Sequence, residues 1–250
     1  MNRHITVVKI GGSILPNARA YQRAAIFLRS RLSAVPAERY VVVVSAQDGT
    51  TDELQREAQS IHGRPSQRML DLLWATGELR SVAILTMHLH SLAVSATGLN
   101  VHEAGLKSTN SVPISTSVCF VTNGLRSALQ QHAVVVVPGF FATDSDGSVV
   151  SLGRGGSDLT AVVLAVALKA TSCELVKDVP GYFTTDPHLD TAARHIPALT
   201  FQRALKLADG GCDLVQRRAI EVASDADLPL VVRSLNEAAP KTIVSREALE

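Results

Sequence analysis

The sequence predicts an α/β protein, a three-layer α/β/α sandwich with a mainly parallel central sheet. Two observations carry this. Continuous apolar runs such as Tyr40–Ser45 (YVVVVS) and Ala133–Val137 read as strands buried on both faces, the pattern of parallel sheets. Helical segments alternate with these strands along the chain, as βαβ units require. With 250 residues, 46% of them apolar, a sizeable core is within reach. A single domain is expected over 1–250. A weak waist near 145–150 divides it into an N-terminal lobe of about 1–148 and a C-terminal lobe of about 149–250.

In order along the chain, His4–Lys9 is a valine-rich strand broken by Gly11-Gly12-Ser13, and a helix follows over Ala18–Leu32. Tyr40–Ser45 ends in the polar loop Ala46–Thr51, where Thr50 or Thr51 can cap the next helix. After Pro65 a helix from Ser66 to Ala75 stops at Thr76-Gly77, and a second runs over Glu78–Leu92. Val94–Leu99 is a strand, 100–117 an irregular connection, Val118–Val121 a short strand and Asn123–Gln131 a helix. The strand Ala133–Val137 ends in Pro138–Phe141, and Asp144-Ser145-Asp146-Gly147 is a hairpin turn signal.

The stretch 149–188 organises the rest. It reads as a short strand, the glycine turn Gly153–Asp158, a helix over Asp158–Ala170 that is apolar on nearly every face, and a strand Cys173–Lys177. Ser157 or Asp158 can cap that helix. Helices over Thr200–Ala208 and Leu214–Ala226 follow, with strands Leu228–Arg233 and Thr242–Val244.

A net charge of +1 points away from nucleic acid and from charged membrane surfaces. The longest apolar helical run, Ala161–Leu168, is far short of the roughly 20 residues that span a bilayer. The start, MNRHITVVKIGG, lacks the apolar core of a signal peptide. Cys119, Cys173 and Cys212 are scattered and read as reduced packing thiols, so a cytoplasmic protein is expected. The histidines have no ligand spacing, and no protein-built metal site is expected.

Lys9 and Lys177 sit at the carboxyl ends of apolar strands, the edge where ligands collect in open α/β sheets. The alternative is that each simply snorkels out of the sheet. Neither a Walker A motif nor G-x-G-x-x-G is present, so phosphate binding would fall to Gly11-Gly12 and to Gly153–Gly156 at a helix N-terminus. Arg154, between glycines, suits a planar clamp on a carboxylate or a structural ion pair. Asp158 reads equally as an N-cap, and Glu78 as a favourable first-turn charge.

These residues together resemble the catalytic domain of aspartate kinases, in the amino-acid-kinase superfamily. Val8-Lys9-Ile10-Gly11-Gly12-Ser13 is similar to the family's V-K-F-G-G-T/S. Val41–Ser45 with Thr50-Thr51-Asp52-Glu53-Leu54, and then Thr76-Gly77-Glu78, match its next two motifs. LGRGGSDLT (Leu152–Thr160), DVPGYFTTDP (Asp178–Pro187) and Val231-Val232-Arg233-Ser234 follow in family order, so the likeness covers essentially the whole chain.

The resemblance implies ATP-dependent phosphorylation, with Mg²⁺, of the side-chain carboxylate of L-aspartate. In that reading Lys9 and Asp158 belong to the catalytic centre, with Lys9 stabilising the transferring phosphoryl group. Ser45, Thr51, Glu78, Arg154, Gly156, Ser157 and Asp158 hold the amino acid, Arg154 on its α-carboxylate and Glu78 with Asp158 on its ammonium. Gly11, Gly12, Ser13, Lys177, Asp178, Gly181, Tyr182, Asp186 and Pro187 lie on the nucleotide side. The N-terminal lobe would take the amino acid, the C-terminal lobe the nucleotide, and the protein would be a homodimer. The alternatives are a kinase for another small acid, or a catalytically weak ligand-binding homologue.

Three departures from the family pattern fall on the nucleotide side. Lys177 stands where the family has threonine or serine, His188 where it has arginine, and Asp213 aligns with a nucleotide-facing lysine. Either Lys177 supplies the missing charge from another strand end, or nucleotide affinity is lost or altered. The ACT regulatory domains of typical aspartate kinases have no counterpart in these residues, so intrinsic feedback inhibition by lysine or threonine is not expected.

Overall fold

The computed structural model describes residues 4–108, 118–120, 123–153 and 155–247, with only the backbone of 118–120. Its first half contains β1 (Ile5–Ile10), α1 (Ala18–Ala34), β2 (Arg39–Val44), α2 (Thr50–Ile61) and α3 (Gln67–Ser91). β3 (Ala96–Gly98), α4 (Val101–Ala104), β4 (Leu106–Ser108), β5 (Val118–Phe120) and α5 (Asn123–Gln131) come next. Then come β6 (Val134–Pro138), β7 (Phe141–Thr143), β8 (Val149–Ser151), α6 (Gly156–Leu168) and β9 (Ser172–Val176). The chain continues through β10 (Tyr182–Phe183), β11 (His195–Ile196), β12 (Ala198–Thr200), α7 (Phe201–Asp209), α8 (Arg217–Asp225), β13 (Leu230–Arg233) and β14 (Thr242–Ser245).

The main sheet has eight strands in the order β12-β14-β13-β9-β1-β2-β6-β3. Every neighbouring pair is parallel except β13 with β14. Alternation along the strands splits the core into two layers. Val7, Val41, Val43, Val135, Val137, Cys173 and Leu175 face α6, α7 and α8. Val8, Ile10, Tyr40, Val42, Val44, Val134 and Val136 face α1 and α3. A period-2 side-chain pattern buried on both faces produces the three-layer α/β/α sandwich. A four-stranded sheet, β5-β4-β7-β8, and the β10-β11 hairpin sit beside it. No helix among the described residues is long and apolar enough to cross a membrane.

From β1 the chain steps one way to β2 and later returns to place β9 on the other side of β1. This reversal is a topological switch point, and it opens a crevice at the carboxyl ends of β1 and β9.

Several local expectations are corrected. Thr76-Gly77 does not stop a helix, because α3 runs unbroken through it. Glycine inside a helix costs about 1 kcal/mol relative to alanine. Packing offsets that here. A Cβ on Gly77 would lie 3.1 Å from Thr50 Cγ2 and 3.2 Å from Ala46 Cβ, so the bare backbone lets the start of α2 lie against α3. Neither Thr50 nor Thr51 caps α2, whose N-cap is Gly49 in the left-handed region at φ 78°. Neither Ser157 nor Asp158 caps α6, which begins at Gly156 after Gly155 and ends at Leu168. The helix expected from Leu214 begins at Arg217, with the Gln216 side chain as its cap. The connection expected to be irregular holds α4, closed by a capping box between Asn100 and Glu103, and β4. Its remainder, 109–117, with Val121 and the Cys119 side chain, lies outside the described residues. Cys173 and Cys212 are free thiols.

Candidate active site

The strand ends at the switch point form a cleft of about 750 Å³. Each wall is set by local sequence. Lys9 is the next-to-last residue of β1, and Gly12 lines the cleft where a Cβ would lie 2.8 Å from the Ala46 carbonyl oxygen. The loop after β2 brings in Ser45 to Gly49, and the first two turns of α2 add Thr51, Asp52 and Gln55. Helix α3 contributes Trp74 and Glu78, one turn apart on the same face. Gly155, Gly156, Ser157 and Asp158 present the N-terminus of α6. Ser45 Oγ donates to Ser157 Oγ at 3.0 Å and ties the β2 loop to that helix.

Asp158 is the hub. Lys9 Nζ lies 2.9 Å from its Oδ1, and Lys177 Nζ lies 2.9 Å from its Oδ2 and 3.2 Å from its Oδ1. The backbone N–H of Gln216 donates to Oδ2 at 3.3 Å. Burial by itself raises a carboxyl pKa, but the two ammoniums outweigh it and hold Asp158 well below the usual carboxylate range. Burial lowers the Lys177 pKa, partly countered by Asp158, and Lys9 lowers it further.

Glu78 behaves in the opposite way. It is 4% exposed, and burial pushes its carboxyl up to about 8 against the Ala46 backbone hydrogen bond and the nearby Lys9. Its Oε2 has no hydrogen-bond partner among the described residues. The site therefore joins a fixed anion held by two cations to a neutral acid with an open oxygen. Such a set can receive an ammonium at Glu78 and an anion at the lysines, with helix N–H groups alongside.

Among the residues picked out from sequence, Lys9, Gly12, Ser45, Thr51, Glu78, Gly156, Ser157, Asp158 and Lys177 meet in this cleft. Lys177, expected on the nucleotide side, stands beside Asp158 in the same cleft. The resemblance gave Asp158 to a substrate ammonium; its oxygens are engaged by the two lysines and Gln216. Gly11 is buried behind Lys9, and Ser13 is exposed. Tyr182 is buried in the α6–α8 layer of the core and Gly181 packs against Thr242. Asp178 and Asp186 are exposed, and Pro187 is half-buried; none of these three lines the cleft. Arg154 lies outside the described residues.

Trp74, Phe140, Asp213 and Gln216 line the cleft as well. Trp74 and Phe140 form a tilted ring pair, centroids 6.4 Å apart. The Trp74–Glu78 spacing of i, i+4 was present in the sequence, but reading a helix stop at Gly77 hid it.

The model of the amino acid kinase family matches residues 4–234. The aspartokinase of Geobacillus stearothermophilus is 38% identical over 243 residues, 97% of this chain and 59% of that protein. Aspartokinase 2 of Bacillus subtilis is 36% identical over 98% of this chain and 59% of its own length. The crystal structure of aspartate kinase from Synechocystis superposes with a TM-score of 0.81 at 33% identity, over 98% of this chain and 40% of that one. This chain thus spans a little over half the length of the curated relatives it matches.

Proposed function

The chain belongs to the amino acid kinase family, and from that premise we propose that it transfers the γ-phosphoryl group of ATP to the side-chain carboxylate of L-aspartate, giving 4-phospho-L-aspartate. The observation that carries this is the pair of buried ammoniums held on Asp158 beside the N-terminus of α6, in one cleft with Glu78. The likeness to aspartokinases supports aspartate as the acceptor.

The chemistry asks for such a site. Acceptor and nucleotide are both anions, so their approach needs fixed positive charge and aimed N–H donors. An oxygen of the acceptor carboxylate forms a bond to the γ-phosphorus. The bond from that phosphorus to the bridging oxygen breaks, and ADP leaves with the electron pair. The acceptor is already ionised, so no proton need be taken from it and no protein nucleophile is required.

In this reading Lys9 meets the charge on the transferring group. Glu78 ionises against the substrate ammonium, and Ser45, Thr51, Gly156 and Ser157 shape the acceptor pocket. Arg154 on the α-carboxylate follows from the resemblance, as do Gly11, Gly12, Ser13, Asp178, Gly181, Tyr182, Asp186 and Pro187 on the nucleotide side.

Magnesium bound with the nucleotide would neutralise part of the triphosphate charge. Such an ion would be held mainly by phosphate oxygens and water. Asp213, in the cleft lining, is a carboxylate available to share it.

A coupled ADP-release assay over a panel of amino acids, with hydroxylamine trapping acyl phosphates, tests the proposal. Aspartyl hydroxamate is the expected product. A hydroxamate of another acid would move the acceptor, and none from any acid would overturn the kinase reading.

A further inference from the structure

β1 and β9 lie side by side and parallel at the switch point, with Ile10 opposite Val176. Lys9 stands one residue before the end of its strand and Lys177 one residue past the end of the other, yet both reach the same carboxylate. The side chains of Lys9, Lys177 and Asp158 are 10%, 12% and 5% exposed. One carboxylate balances one ammonium, so the cluster keeps a surplus positive charge away from bulk water.

As a structural counter-ion for Asp158, Lys9 is sufficient. A second buried lysine adds desolvation cost and repels the first. An anion arriving in the cleft supplies what is missing. Each lysine has three N–H donors, and the bonds to Asp158 leave at least one on each for the cleft both line. Asp213, from the α7–α8 connection, lines the same cleft with the opposite charge.

We propose that Lys177 is a second catalytic lysine, whose ammonium shares with Lys9 the negative charge of the phosphoryl group in transit, while Asp158 positions both. This rests on the phosphoryl-transfer reading above. The second cation of this site thus comes from the end of β9, not from the α7–α8 connection, where the family resemblance expects a lysine and the chain has Asp213.

The test compares wild type, Lys177→Met, Lys177→Gln and the exchange Lys177→Thr/Asp213→Lys. Turnover, KM for aspartate and thermal midpoint are measured. Calorimetry gives the affinity for the β,γ-imido analogue of ATP relative to ADP. For Lys177→Met, kcat falls about 100-fold, in the range seen on removing one oxyanion donor, while KM for aspartate stays within about threefold. The analogue-to-ADP affinity ratio falls about tenfold, the size of one charge-assisted contact. The exchange recovers at least about a tenth of wild-type turnover, because the cation returns to the same cleft.

A purely structural lysine would lower the thermal midpoint and leave the affinity ratio unmoved. That result, or turnover within about threefold of wild type, overturns the proposal. If Lys177→Met does not fold, Lys177→Gln, which retains a donor toward Asp158, is read in the same way. If wild type forms no acyl phosphate, the acceptor reading fails, and the affinity ratio still decides Lys177.

Discussion

Glu78 is an acid enclosed by protein, and its proton belongs to the chemistry of the cleft. With its pKa pushed up to about 8, it is neutral at pH 7 in the free protein, and under the proposed reaction it ionises to pair with the substrate ammonium. Acceptor binding therefore tightens as pH rises toward 8. KM for aspartate measured from pH 6.5 to 9 falls by up to about tenfold per unit below the pKa and then levels. Glu78→Gln removes that slope and raises KM throughout. Stability moves the other way. The folded state keeps this proton up to about 8, while an unfolded glutamate releases it near 4.5, so folding loses stability across that window and Glu78→Gln flattens the loss. Lys9, Ser45 and Asp158 were legible in the sequence because each adjoins a strand end or a helix start, whereas Glu78 was picked out at a helix start that does not exist, since it lies inside α3. Trp74, Phe140 and Gln216 were not, since an aromatic ring or an amide carries no local mark of a cleft. The engagement of Asp158 was hidden too. Its partners Lys9 and Gln216 lie far away along the chain, and only folding brings their charges and donors to it.

Helix α6 shows how an element start can be fixed by backbone shape without a side-chain cap. Gly155 stands at φ 70°, and a Cβ there would lie 2.3 Å from Gln216 Cγ and 2.7 Å from its Cβ. Gly155→Ala brings about 1–2 kcal/mol of left-handed backbone strain and a further 1–3 kcal/mol of overpacking. At roughly 2–4 °C per kcal/mol for a chain of this size, calorimetry should show a midpoint lower by about 4–20 °C. The same shift disturbs Gln216, which caps α8 through Ala219 N–H and donates to Asp158, so turnover falls as well. Strands β2 and β6 were readable as continuous apolar runs, β1 as a valine-rich strand and β9 as the strand after the buried helix. Helix limits were misread where glycine was involved. Local propensity treats Gly77 as a stop, but contact with Ala46 and Thr50 makes it a packing site; at Gly155 a left-handed turn starts the helix that sequence assigned to a polar cap.

At the level of the molecule, the sheet is most enclosed where the site is built. Val7, Val8, Ile10 and Tyr40 to Val44 have no exposure at all. Native-state hydrogen exchange will find the slowest amides in β1, β2, β6 and β9 and faster exchange in the edge strands β3 and β12. Equal protection across the sheet would contradict this ordering. The layered α/β/α class followed from the alternation of strands and helices. Strand order did not, because β9 reaches its place beside β1 from more than 160 residues away and that pairing leaves no local trace. That pairing also makes the cleft a clamp under tension. Two like charges are pressed together across neighbouring strand ends, and the Asp158 carboxylate is the latch between them. Cut the latch, as in Asp158→Asn, and the lysines become a wedge driven into the top of the sheet. Seat an anion between them and their repulsion is relieved, so under the proposed transfer an entering phosphoryl group tightens the frame that receives it.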